Sequence, residues 1–149
     1  MITKTKINSE TTKNITEKQL DELVYNKAVD KYLGTFGEHF KNNEEDKLLC
    51  QMFACAVLDA EVINGGFDQF FLNSEDLAEF ALDGLQKIEA EGHYQLLLLA
   101  TKLYKEQKEE FKDKRNPNLS DLDIQYYKLE DISIKRQKFV KENAERFYD

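Results

Sequence analysis

The chain has 149 residues, 41% of them hydrophobic and 11% aromatic, with ten Phe and seven Tyr; that is enough apolar material for one folded domain and too much for a disordered chain. One Pro and six Gly leave little for the many tight turns of an all-β fold, and the abundance of Lys, Glu, Leu and Ala favours helix. The net charge of -8 disfavours direct binding to nucleic acid.

The first fifteen residues are polar and read as a flexible terminus without the apolar stretch of a signal peptide, so residues 16–149 form the expected single helical domain. Later apolar runs, such as Leu96 to Ala100, are too short to span a bilayer. A cytoplasmic location without membrane association follows as the expectation. Thr16 opens "TEKQ", a capping-box pattern with Gln19 three residues on, and Leu20, Leu23, Val24, Ala28 and Tyr32 keep helical spacing up to Gly34. Gly34 and Gly37 bracket a turn. Glu44, Glu45 and Asp46 then sit where a helix N-terminus favours acids, and Leu49, Met52, Phe53, Ala56, Ala60 and Ile63 form the stripe of a central core helix. Cys50 and Cys55 are turned about 140° apart on that helix, which points to two buried free thiols rather than a disulfide or metal clamp.

The stretch "EVINGGFDQFF" (61–71) interrupts the pattern with two glycines. Gly65 or Gly66 is expected to supply a positive φ at a helix end, with the missing Cβ allowing close packing. Phe67, Phe70 and Phe71 follow at helical spacing and need a buried face. Asn73 and Ser74 are candidate caps for the next helix, on which Leu77, Phe80, Ala81, Gly84, Leu85 and Ile88 share one side. Gly92 is expected to break it. A helix from about His93 to Phe111, a loop at Asn116-Pro117-Asn118, a helix restarting at Ser120 with Asp123, and a last segment from about Ile132 to Phe147 complete the expectation of an all-α, single compact domain of about six to eight helices.

Catalytic patterns are scarce. The histidines His39 and His93 have no ligand-spaced partner, the four serines lie in no nucleophile motif, and Glu89 stands four residues before His93 rather than three as a di-iron pattern would need. No enzyme activity, metal or cofactor is expected. The glycines offer one alternative, a small-ligand or phosphate site around Asn64, Gly65, Gly66 and Gln69; Glu61 and Asp68 on either side and the absence of a following Lys and Ser or Thr weigh against it.

Residues Glu61, Val62, Asn64, Gly65, Gly66, Phe67, Gln69, Phe70, Phe71, Asn73 and Ser74 match the pattern E-V-x-N-G-G-F-x-Q-aromatic-aromatic-x-N-S, followed by "LAEFALDGLQKI". The chain thereby resembles a bacterial DNA-mimic protein family with an all-helical domain of otherwise unknown function. The resemblance implies a protein that acts by occupying a DNA-binding protein. The signature itself reads as architecture, with Gln69 and Asn73 expected to hydrogen-bond each other or the backbone freed at the glycines.

Charge must carry the functional argument, since a fold does not transmit function. Residues 1–60 hold eight basic and ten acidic residues, 61–100 one and eight, and 101–149 twelve and eleven. Glu75, Asp76, Glu79 and Asp83 form one acidic helix face. Area scaling gives roughly 1,000 Å² of surface per net negative charge against about 110 Å² for B-DNA. Mimicry can therefore operate only as a local patch or across a homodimer. The expected function is non-enzymatic binding of a protein partner through that face; the alternatives are the small-ligand site at the glycines and an immunity-type inhibitor that does not imitate DNA.

Overall fold

Residues 6–35, 38, 40 and 43–149 are described by the computed structural model of the chain; Gly37 and His39 lie outside them. The described residues form six α-helices and three 3₁₀ turns, with no strand among them. The all-α reading holds, near the expected helix count.

Helix α1 (Glu17–Thr35) starts where the capping box says. Thr16 Oγ1 accepts from the Gln19 N–H at 3.1 Å and Gln19 Oε1 accepts from the Thr16 N–H at 2.9 Å, so two donors that a helix start leaves unpaired are satisfied reciprocally. Leu20, Val24 and Ala28 are buried. The helix runs through Gly34 rather than stopping there.

A 3₁₀ turn (Glu44–Asp46) leads into α2 (Lys47–Ser74), of whose 28 residues fifteen are buried. The stretch from Glu44 to Lys87 is long and apolar enough to cross a membrane by length and composition, and in this fold α2 is the core helix against which the other helices pack. Between Lys47 and Asn64 its buried face runs to Leu58 and Val62, not to the expected Ala60 and Ile63. Ile63 lies about 100° round the axis from Val62 and is 62% exposed. Both cysteines are buried and free, and burial pushes each thiol up to about 12.

After a 3₁₀ turn (Glu75–Leu77), α3 (Ala78–Lys87) buries Ala78, Ala81, Gly84 and Leu85. A Cβ at Gly84 would stand 2.6 Å from both Cys55 Sγ and the Gln51 carbonyl oxygen, so that glycine sets how closely α2 and α3 approach. Ser74 does not cap α3: it is buried, and its side chain makes no capping bond. The break before α4 (Glu91–Gln107) falls at Glu89, which carries a φ of 59°, and not at Gly92, which sits in the first turn of that helix. Leu129 explains the glycine, because a Cβ there would come within 3.2 Å of its methyl carbon.

Helix α5 (Pro117–Tyr127) corrects the expected loop. Asn116 caps it, accepting from the Asn118 N–H at 2.9 Å, and Pro117 occupies the first turn, where its missing N–H costs nothing. Helix α6 (Ile132–Glu142) is capped by Asp131, and a 3₁₀ turn (Ala144–Phe147) follows.

The polar N-terminal composition suggested a flexible segment up to residue 15, yet from Lys6 onward the chain is tied down. Ile7 is buried, its N–H donates to Asp149 Oδ2 at 2.8 Å and its carbonyl accepts from the Asp149 N–H at 2.8 Å. One apolar side chain, one backbone bond and one backbone-to-carboxylate bond hold Ile7 and Asp149 together.

Candidate functional site

Breaking a helix releases carbonyls on one side and N–H groups on the other, and each needs a partner if it is not to be stranded from water. Within α2 the break is at Gly66, with φ 81° and ψ 179°, a conformation open almost only to glycine. Upstream, Tyr127 Oη donates to the Val62 carbonyl at 3.0 Å and Arg115 Nη2 to the Gly65 carbonyl at 2.7 Å. Downstream, the Phe67 N–H donates to Asp123 Oδ1 at 2.8 Å. The Asp68 carboxylate accepts from the Asn116 N–H at 3.1 Å and lies 3.9 Å from Arg115 Nε. Every one of these partners comes from residues 115–127.

The expectation of a positive φ is met at Gly66, and the close approach is made by a side chain. A Cβ on Gly66 would overlap the Asp123 carboxylate, and one on Gly65 would overlap the Gln69 side chain. Asp123 is buried, and desolvation raises its carboxyl above the ordinary range, partly offset by the Phe67 hydrogen bond. This arrangement bears on the alternative of a ligand site at Asn64, Gly65, Gly66 and Gln69. One of the N–H groups that would receive an anion, that of Phe67, is already held by the chain's own carboxylate, and Phe67 is buried.

The rest of the signature fills the surrounding space. Phe67, Phe70 and Phe71 are buried as expected. Phe67 meets Tyr126 edge to face at 5.7 Å, and Phe71 stacks on Tyr104 at 4.4 Å between centroids. Asn73 Nδ2 donates to Glu61 Oε2 at 3.0 Å, so two signature residues join across the bend; the expected partner Gln69 instead lies over Gly65.

All four residues of the acidic row are exposed. Glu75 accepts from Tyr104 Oη at 3.0 Å and stands 4.0 Å from Lys108 Nζ, while Asp76 accepts from Tyr32 Oη at 3.2 Å. Burial first, and then these carboxylates, raise both tyrosine hydroxyls above their ordinary value. Glu79 and Asp83 point outward from α3 about 40° apart. Asp83 borders a shallow hollow of about 410 Å³ with Lys47, Gln51, Gln86 and Lys87. The row is thus acidic at its crest and edged by lysines.

Two features were not visible in the sequence. Inside the bundle, Arg136 pairs with Asp21 through three hydrogen bonds of 3.0 to 3.1 Å, and Tyr126 Oη donates to Asp59 at 2.7 Å. His93 is buried edge-on to Tyr126 at 5.1 Å, and desolvation lowers its imidazole below the ordinary value. No group of three or more His, Cys, Asp or Glu among the described residues could hold a metal ion. The second feature is a cleft of about 640 Å³ beside Asp68, Gln69 and Leu72, walled by Tyr104 and residues from Gln107 to Leu119.

A family model described as DMP19-like protein matches residues 43–143, a span that takes in the whole glycine signature, the acidic row and the partners that hold the bend. No curated protein matches the chain. No solved structure matches it either.

Proposed function

The chain belongs to the DMP19-like protein family, a DNA-mimic family, and from that premise we propose that it is a non-enzymatic intracellular protein that occupies a DNA-binding protein in place of DNA. The observation that carries the reading is the joint exposure of Glu75, Asp76, Glu79 and Asp83 on one turn and the helix after it. Residues 61–100 hold eight acids and one base, so this is where the negative charge of the chain is concentrated.

Magnitude limits the form the mimicry takes. An accessible area of 9016 Å² and a net charge of -8 give roughly 1,100 Å² per charge, about tenfold more dilute than the surface of a DNA duplex. The contact is therefore local, a basic cleft of the partner receiving one acidic ridge. Complementary charge of this kind sets encounter rate and selectivity more than tightness.

The test is competition. A partner captured from the host on the immobilised protein is challenged with duplex DNA and, separately, with rising salt. Release by both is expected, together with loss of capture by the Glu79→Lys, Asp83→Lys variant at unchanged helicity. A complex indifferent to duplex DNA and to charge reversal would overturn the reading. A complex that DNA leaves intact and charge reversal abolishes would identify an inhibitor that does not imitate DNA.

A further inference from the structure

The cleft between the end of α2 and the segment after α4 has a different character from the acidic row. Its volume of about 640 Å³ falls within the roughly 300 to 1,000 Å³ of small-molecule sites. Leu72, Tyr104 and Phe111 supply apolar lining, and Leu72 is 84% exposed, leaving a large apolar side chain uncovered at the edge of the cleft. Lys108, Lys112, Lys114 and Arg115 line the same cleft.

Three carboxylates also border it: Asp68, Glu109 and Asp113. Asp68 is taken up by the Asn116 N–H and Arg115, and Arg115 is in turn committed to the Gly65 carbonyl. The remaining charges are Glu109, Asp113 and three lysines, of which Lys108 also stands 4.0 Å from Glu75. Two of the lysines are paired with rings: Lys108 Nζ lies 5.8 Å from the centroid of Tyr104 and Lys114 Nζ 5.6 Å from that of Phe111. A ring with an ammonium beside it complements a molecule that has a ring with an acid group beside it.

We propose that this cleft binds a small aromatic anion, a planar ring bearing a carboxylate or a phosphate, with the ring against Phe111 and Leu72 and the acid group on Lys112 and Lys114. The ring removes exposed apolar surface from water, and the acid group meets the exposed ammonium groups of Lys112 and Lys114. Either half alone gains little at such an open site. The proposal requires no protein partner.

Calorimetric titration of the full chain at low salt tests it with two probe anions, indole-3-acetate and adenosine 5′-monophosphate. Indole, adenosine and inorganic phosphate serve as the corresponding half-ligands. Saturable one-to-one binding of at least one probe is expected, at least about tenfold tighter than its halves. Lys112→Glu with Lys114→Glu should weaken it by more than about tenfold, and Phe111→Ala should weaken it while the lysines remain. Lys102→Glu, on the exposed side of α4, should leave it unchanged. Circular dichroism of each variant separates loss of the site from loss of the fold. Failure of both anions to saturate overturns the proposal, as does equal binding of inorganic phosphate or binding that survives the double lysine substitution in a folded variant.

Discussion

The backbone N–H of Phe67 donates to the side chain of Asp123 at 2.8 Å across 56 residues of sequence, so the restart of α2 after its bend is capped from another helix. The free N–H groups of a helix start are ordinarily met by the side chain of the capping residue, which accepts from those two or three positions on. Here that residue is Gly66, which has no side chain to offer.

Asp123→Ala should therefore leave a buried N–H unpaired, at a cost of about 1 to 3 kcal/mol. Asp123→Asn keeps an acceptor oxygen and removes the buried charge, and should lose less. Urea unfolding of the two variants checks the order, and an alanine variant as stable as the parent would remove Asp123 from this role.

Gly66→Ala forces a side chain into a conformation that costs about 1 to 3 kcal/mol by itself, and its Cβ overlaps the Asp123 carboxylate. The loss should exceed that of Gly65→Ala, whose overlap is with the flexible Gln69 side chain. Thermal melting of the pair measures the difference. Equal losses would mean that the bend is not fixed by Gly66.

Asp21 and Arg136 keep only 10% and 13% of their side-chain surface exposed, so removing one partner strands the other. Arg136→Met is expected to cost about 3 to 5 kcal/mol, and the joint replacement Arg136→Met, Asp21→Leu should recover most of it, because a buried ion pair gains little over well-packed apolar groups. Denaturant midpoints of the single and double variants decide the matter.

Burial holds the His93 imidazole below its ordinary 6.5, so the folded chain resists a proton that the unfolded chain accepts. The stability from this group is complete above that value and is lost as pH falls through it toward the lower folded value. Unfolding free energies at neutral and mildly acidic pH should show the drop, and His93→Gln should flatten that part of the profile. An unchanged profile in the variant would assign the acid sensitivity elsewhere.

Local chemistry was legible in the sequence, and long-range pairing was not. Thr16 and Gln19 announce a helix start because both halves of the capping box lie within four residues, and the three phenylalanines declare a buried face by spacing alone. Asn116-Pro117 carried a helix start as well, but read as loop punctuation it placed the restart at Ser120, three residues late. The Glu89 break was hidden by Gly92, whose lack of a side chain serves Leu129. Glu75, Asp76, Glu79 and Asp83 were readable as exposed from helical phase. The capping of Phe67 by Asp123, and the cleft formed where residues 68–72 meet 104–119, depend on which helices become neighbours, and no local pattern encodes that.

Tyr104 and Lys108 wall the cleft, and both reach Glu75 at one end of the acidic row. The two surfaces thus share a border, and any coupling across it would act in both directions by the same factor. An anion that draws Lys108 toward itself leaves Glu75 more negative toward a partner, and a partner that binds Glu75 frees Lys108 for the anion. Each occupant would strengthen the other, with one lysine as the exchange point.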